Sequence, residues 1–446
     1  MYAFYIYSQL KKYSKANKSF HVPGHKAHGA FKEKFAIAPL DITELSYSDN
    51  LFCPEGIIAS AEKDIAEILG AKKSFIVTDG SSAGVHAMLY VAAKRGEKII
   101  VPRNCHQSVW NGCKIFGLEP VIVQGEVKNG LIEPLSPDTI KEIIENDGAI
   151  GSMIVTSPDY YGKIAPLEEY SEILKKNDRL LIVDGAHGSH LAFEQNRRGH
   201  AGVYADMWVD GVHKSLPVLT QGAVVSANNE EIVPMLEEAL NIFRTTSPSY
   251  PIMASVEYGI KYVKNNPEVL KAAVEAVNGF RERCALPVLL TDDWTKIAVD
   301  FSAANISSDE AAKQLEKKGV YAELSDGRYI LFYASVMTGA AELEKLNDAI
   351  REIIKDKKLQ NTYIARPCIF KNNRTFGFQN ALKRERELVL PENAAERICA
   401  VNAGITPPCI PVVVAGEIIT EETIEVLSAA KTVFGMVDGK IWVVKK

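Results

Sequence analysis

From about residue 60 to residue 260, short β-branched runs alternate with segments of helical period, and no other feature constrains the fold as strongly. The runs fall at 74–78, 98–101, 120–123, 151–156, Leu180–Asp184, 207–212 and Ala223–Ala227. Between them, segments such as 82–94 and Leu167–Lys176 place apolar residues three and four apart. Strands separated by helices of this length predict an α/β fold. Its sheet is mainly parallel and covered on both faces, with a site at the carboxyl ends of the strands.

After about residue 265 the pattern changes. Runs at 296–301, 319–324 and Tyr329–Tyr333 read as strands of a smaller α+β unit, with helices at 308–317 and 340–355. Residues 356–446 form a third block that ends in short apolar runs near 407–417 and 439–446. The expected division is an N-terminal arm at 1–30, a large domain at 31–265, a small domain at 266–355 and a C-terminal domain at 356–446. A chain of 446 residues is long enough for two or three such units.

Composition narrows the partners. A net charge of −5 gives no reason to expect nucleic acid or an anionic membrane, and no apolar run reaches the roughly 18–20 residues of a membrane span. The first twenty residues are apolar and then basic, the reverse of a secretory signal, so they read as an amphipathic arm or helix of a cytoplasmic protein. Seven cysteines without a C-x-x-C pair suggest neither a disulfide framework nor a metal site. All nine histidines lie between positions 21 and 213, so any chemistry carried by histidine belongs to the first half.

Two residues stand where buried runs end. Asp184 follows Leu180–Val183, and Lys214 follows the run at 207–212 within HKSLPVLTQGA. Alone, such an aspartate is usually a turn or cap residue. Lysine, by contrast, is rarely placed among apolar and small neighbours. Together they suit pyridoxal 5′-phosphate, which needs an amine for its aldehyde and a carboxylate to keep its ring nitrogen protonated. Desolvation would favour the neutral, nucleophilic amine. The turn Asp79-Gly80-Ser81-Ser82 before a helix offers backbone amides and hydroxyls to a phosphate, and it lacks the Gly-Lys-Ser/Thr ending of a Walker loop. His106 reads as a residue that stacks on the ring or as a satisfied loop histidine. His213 reads as a phosphate donor or as a packing residue. HVPGHK (21–26) and RTTSPSYPIMAS (244–255) read as subunit-interface clusters or boundary turns with no evident role inside one subunit.

The chain resembles the Orn/Lys/Arg decarboxylase family, enzymes of the aspartate-aminotransferase fold (fold type I). The resemblance rests on HVPGHK, residues 41–62, the turn at 79–84, RNCHQS (103–108), TSPDYYG (156–162), DGAHGSHLAF (184–193), HKSLPVLTQGA (213–223), TTSPSYPIMAS (245–255) and PPCIPVVVAGE (407–417). It implies that Lys214 bonds the cofactor aldehyde, Asp184 pairs with the pyridine nitrogen and His106 stacks on the ring. It further implies that Ser81, Ser82 and His213 hold the phosphate, while Ala186 and His187 line the other face and edge. The implied reaction is α-decarboxylation of lysine, arginine or ornithine, yielding a polyamine or its precursor. The implied assembly is a homodimer with shared sites, and the additional N-terminal receiver-like domain of the family's decameric members is not expected here.

The sequence departs from the family pattern at Gly211 (usually Ser), Asp79 (usually Asn), Asn50, Phe52, Val401, Thr406 and Cys409. Two alternatives follow. One is an aminotransferase or other α-carbon enzyme, with Arg328 or Arg366 as a carboxylate clamp. The other is a binding or regulatory relative that has lost turnover.

Overall fold

Each buried strand feeds two cores. The computed structural model describes residues 1–14, 19–359 and 376–446. In chain order its large unit contains α1 (Tyr5–Tyr13), α2 (Ile57–Leu69), β1 (Lys73–Val77), α3 (Gly80–Ala93), β2 (Lys98–Pro102) and α4 (Gln107–Phe116). β3 (Glu119–Val123), β4 (Ile150–Thr156), α5 (Leu167–Lys176), β5 (Leu180–Asp184), β6 (Met207–Asp210), β7 (Ala223–Ala227) and α6 (Tyr250–Asn265) follow. Successive side chains of a strand point to opposite faces. Leu180 and Ile182 therefore join a core with α3 and α4, while Leu181 and Val183 join one with α2, α5 and α6. A sheet covered on both sides needs such continuous apolar runs.

The strand order is β1-β7-β6-β5-β4-β2-β3. β7 pairs antiparallel with both β1 and β6, and the pairs from β6 through β3 are parallel. The carboxyl ends of β1, β2, β4, β5 and β6 consequently meet at one edge. This is the mainly parallel α/β sheet expected from the alternation.

The second unit is the antiparallel sheet of β8 (Val288–Leu289), β9 (Lys296–Asp300), β10 (Leu324–Ser325) and β11 (Tyr329–Tyr333), in the order β8-β9-β11-β10. Helices Pro267–Arg283, Ser308–Glu316 and Ala340–Ile354 accompany it. Residues 376–446 carry two three-stranded sheets and the helix Glu421–Ala429 around Val412, Val413, Ile441 and Val443. The N-terminal residues expected as an arm or helix form α1, which buries Ile6 and Leu10 and offers the amides of Tyr5 and Ile6 to Glu257.

Two strand expectations need correction. The run at 207–212 stops as a strand at Asp210: β5 ends opposite Val209, the last pairing is Asp210 with Val224 of β7, and the chain then turns into the 3-10 segment Val212–Lys214. The run at 319–324 pairs only from Leu324, and Tyr321 before it is exposed. Among the described residues, no helix is long and apolar enough to cross a membrane.

Candidate active site

Asp184 is the last residue of β5, and its Oδ1 accepts from the Ala186 N–H at 3.2 Å. Lys214 closes a 3-10 turn, Val212–Lys214, that takes the chain out of β6. Its Nζ lies 3.0 Å from His187 Nε2. Burial lowers the pKa of the Lys214 amine and Lys296 lowers it further, while Asp184, Glu323 and Cys409 oppose that change. His187 is buried, and burial followed by Lys214 and Lys296 pushes its pKa well below the usual imidazole value. A neutral imidazole thus faces a desolvated amine.

Gly211 explains one departure from the family pattern. A Cβ built there would lie 2.6 Å from the Ala186 carbonyl oxygen. Glycine therefore allows the loop after β6 to close on the loop after β5, which brings Lys214 and His187 together. A serine at this position would have to push the two loops apart.

The turn after β1 meets the same edge. Gly80 opens α3 at φ +77°, a conformation that side chains resist, and its N–H donates to Gln221 O at 3.0 Å. That bond joins the turn to the lysine loop. Asp79 caps nothing with its side chain, which instead accepts from Thr78 Oγ1 at 3.1 Å. The N-terminal amides of the 14-residue α3 are left without a side-chain cap, with half-buried Ser81 and exposed Ser82 in its first turn. His213 donates from Nδ1 to Gly222 O at 2.8 Å. Its Nε2 is then an acceptor in the neutral ring, so donation to a phosphate requires the imidazolium, which burial disfavours.

His106 is the N-cap of α4. Its Nδ1 accepts from the Ser108 N–H at 3.2 Å and lies 2.9 Å from Ser108 Oγ, which places the proton of the neutral ring on Nε2. Burial lowers its pKa, and Asp184 acts in the opposite direction. The C-terminal unit docks here: Gln107 N–H donates to Cys409 O at 2.8 Å, and Arg103 pairs with Glu417 at 3.0 Å in a buried ion pair. Thr406 and Cys409 contact each other, Oγ1 to Sγ, at 2.8 Å.

Other expected elements have roles of their own. Arg244 is buried and donates to Leu51 O at 3.2 Å, and Tyr250 donates to Asp49 O at 2.6 Å. The expectation that the 244–255 cluster lacks a role within one chain is corrected for these two residues. Asp49 accepts from the amides of Asn50, Glu55, Gly56 and Ile58 at the start of α2. Asn50 Oδ1 accepts from Phe52 N–H at 2.8 Å in the same turn. In the 21–26 cluster, His25 stacks on Phe31 at 4.8 Å and pairs with Asp41 at 3.1 Å. Arg328 is engaged by Asp300 Oδ2 at 2.7 Å, and Arg366 lies outside the described residues.

Several residues at this edge have no role assigned by the sequence. Tyr160 and Tyr333 meet the His187 ring edge-on at 5.2 and 5.5 Å, and Tyr160 donates to Glu323 at 2.7 Å. Behind them lie Lys296, Asp293 and His190. Tyr160 and His190 fall within the motifs at 156–162 and 184–193, and Lys296 and Asp293 show only an Asp-x-x-Lys spacing at the start of an apolar run.

Comparison with known proteins gives the family and the fold. The chain is 28% identical to Uncharacterized protein YaaO of Bacillus subtilis, over 99% of this chain and 97% of that protein. It is 28% identical to an arginine decarboxylase of the same organism, over 94% of this chain and 92% of that protein. The solved structure of the constitutive lysine decarboxylase of E. coli superposes with a TM-score of 0.82 at 20% identity, covering 99% of this chain and 82% of that one. At that identity the superposition speaks for the fold. Family models for the Orn/Lys/Arg decarboxylase major domain and C-terminal domain match residues 5–300 and 357–438, and the chain belongs to the Orn/Lys/Arg decarboxylase family.

Proposed function

We propose that the protein is a pyridoxal-phosphate-dependent decarboxylase that removes the α-carboxylate of a basic amino acid, lysine, arginine or ornithine. The observation that carries this reading is the amine of half-buried Lys214, 3.0 Å from a neutral His187 and under the influence of the Asp184 carboxylate.

The residues present fit the cofactor. Lys214 offers a desolvated amine for the aldehyde, and Asp184 a carboxylate at the neighbouring strand end for the ring nitrogen. The α3 amides, with Ser81 and Ser82, offer the phosphate an uncapped helix N-terminus. Among the described residues, buried His187 Nδ1 and Ser215 Oγ have no hydrogen-bond partner, which leaves polar groups for a ligand to satisfy. When bound, pyridoxal 5′-phosphate supplies the electron sink for the carbanion left by loss of carbon dioxide.

The chain orients, excludes water and handles protons. Asp184 would hold a proton on the ring nitrogen by its negative charge. His106, held by Ser108, presents a flat neutral ring, and Ala186 with His187 lines the site beside Asp184. Tyr160 and Tyr333 wall His187 from water. Lys214 Nζ and His187 Nε2 form a short path on which a proton can be held and returned to the α-carbon. Glu323 brings an anionic charge to the same edge.

Incubating the pure protein and cofactor separately with lysine, arginine and ornithine should release carbon dioxide from at least one of them, with the matching amine as product. A keto acid without carbon dioxide would point to transamination. No turnover of any of the three would overturn the reading.

The proposed functional unit is a cytoplasmic homodimer with shared sites. Phe20, just before the 21–26 cluster, is 95% exposed, Val22 within the cluster is 63% exposed, and Ser247 in the 244–255 cluster is exposed. Light scattering should report twice the chain mass, with more than a standard interface of roughly 1,600 Å² buried. Mixed dimers of Lys214→Ala and Ser247→Arg chains should recover part of the activity. A fully active monomer, or no recovery after mixing, counts against shared sites.

A further inference from the structure

A second lysine lies behind the site on the small unit. Lys296 is the first residue of β9 and is only 2% exposed. An amine this deep needs a partner. Its Nζ lies 3.1 Å from Asp293 Oδ2 and donates to Thr295 Oγ1 at 2.8 Å. Asp293 also binds His190 Nε2 at 2.9 Å through its other oxygen, and His190 sits six residues beyond Asp184 in the loop after β5. Burial would raise the Asp293 pKa, but Lys296 and His190 hold it far below the carboxylate range. The group therefore contains a fixed ion pair.

Three contacts lead from this pair to the catalytic lysine. Lys296 Nζ stands 4.5 Å from the centre of the Tyr333 ring, which meets the His187 ring edge-on at 5.5 Å and 82°. His187 in turn contacts Lys214. In parallel, Ala334 N–H donates to Thr295 O at 2.8 Å and Val336 N–H donates to Ser215 O at 3.2 Å, so the segment after β11 is bonded directly to the residue next to Lys214. Nothing in the proposed reaction uses Lys296 directly.

We propose that Lys296 is a positioning residue for Lys214, a buried cation lent by the small domain that stands behind the catalytic amine and sets Tyr333 against His187. A nearby cation is one of the ways an enzyme makes a lysine nucleophilic at neutral pH. The groups that act on Lys214 are Asp184, Glu323 and Cys409, which favour the charged amine, and Lys296, which disfavours it. His187, His106 and His213 also face it, and burial pushes the pKa of each below the usual imidazole value. Lys296 is thus the cation of this set that works with burial, against three groups that work in the opposite direction.

This inference rests on the assignment of Lys214 as the residue that bonds the cofactor. The test uses the full-length chain freed of cofactor. Pyridoxal 5′-phosphate is added across a pH series, trapped with borohydride and located by peptide mass mapping. In the wild-type protein the label should appear on Lys214. A label elsewhere defeats the assignment itself.

Loss of the Lys296 charge raises the Lys214 pKa, so a smaller fraction of the amine is neutral at any given pH. In Lys296→Met the midpoint of labelling should therefore move to higher pH. A midpoint higher by about one pH step of tenfold in proton activity slows labelling near neutrality about tenfold. Lys296→Gln should behave alike, and Lys296→Arg should restore the wild-type midpoint. Correct labelling with an unchanged midpoint in both neutral variants would overturn the inference and leave the cofactor assignment standing. Failure of both neutral variants to fold, with Lys296→Arg normal, would also overturn it, because a purely structural clasp would then account for the residue.

Discussion

Lys214→Ala is expected to abolish both turnover and covalent capture of pyridoxal 5′-phosphate. The variant removes the amine that sits among Asp184, His187 and Lys296, and no other lysine in the described residues replaces its hydrogen bond to His187. Two functions are lost together. The nucleophile for the aldehyde disappears, and so does one end of the proton path to His187 Nε2. Proton transfer by a positioned group alone is typically worth about 10²–10⁴-fold in rate. Activity should therefore fall below detection while the fold persists, because Lys214 is half-buried at the site edge and packs no core. Borohydride trapping and mass mapping check the assignment, and a label retained in the variant would place the chemistry on another lysine.

Asp184→Asn should bind cofactor and lose most of its activity. Asparagine has almost the same shape, and its carbonyl oxygen can still accept from the Ala186 N–H that Asp184 Oδ1 engages. What it lacks is the charge that holds a proton on the ring nitrogen. Removing a preorganised electrostatic group of this kind costs on the order of 10²–10³ in kcat. The measurement is kcat on the accepted amino acid, with cofactor content determined separately. Near-normal kcat at full occupancy would show Asp184 to be a turn residue only, the reading its local sequence also permits.

The position of Asp184 and Lys214 was legible because strand runs are local. Leu180–Asp184 matches its expected bounds residue for residue, and its alternate side chains divide between two cores as a period of two requires. The glycine-serine turn after β1 and the helix that follows could be read in the same way, since both are near-neighbour patterns, although the helix starts at Gly80, before the expected 82–94. Where a run depends on a distant partner, local reading overshoots. The run from Met207 carries no sign that β5 ends opposite Val209, so its apolar pattern continues past Asp210 while the strand does not. The run before Leu324 likewise cannot reveal that pairing with β11 begins only there.

The chemistry divides along the same line. By itself the sequence determined the alternation of strands and helices, the sheet edge to which Asp184, Lys214, His106, Ser81 and Ser82 are delivered, and a family resemblance that the comparisons bear out. Only the tertiary structure decided the fit at Gly211, because the obstacle to a Cβ is the carbonyl of Ala186 on another strand's loop. It also decided the proton position on His106 and His213, which hydrogen bonds set and residue type does not. The His190–Asp293–Lys296 group joins residues about a hundred positions apart, and charge interactions across such a gap leave no periodic trace in the chain. Local physics places residues on elements; burial and long-range contacts determine their charge and orientation.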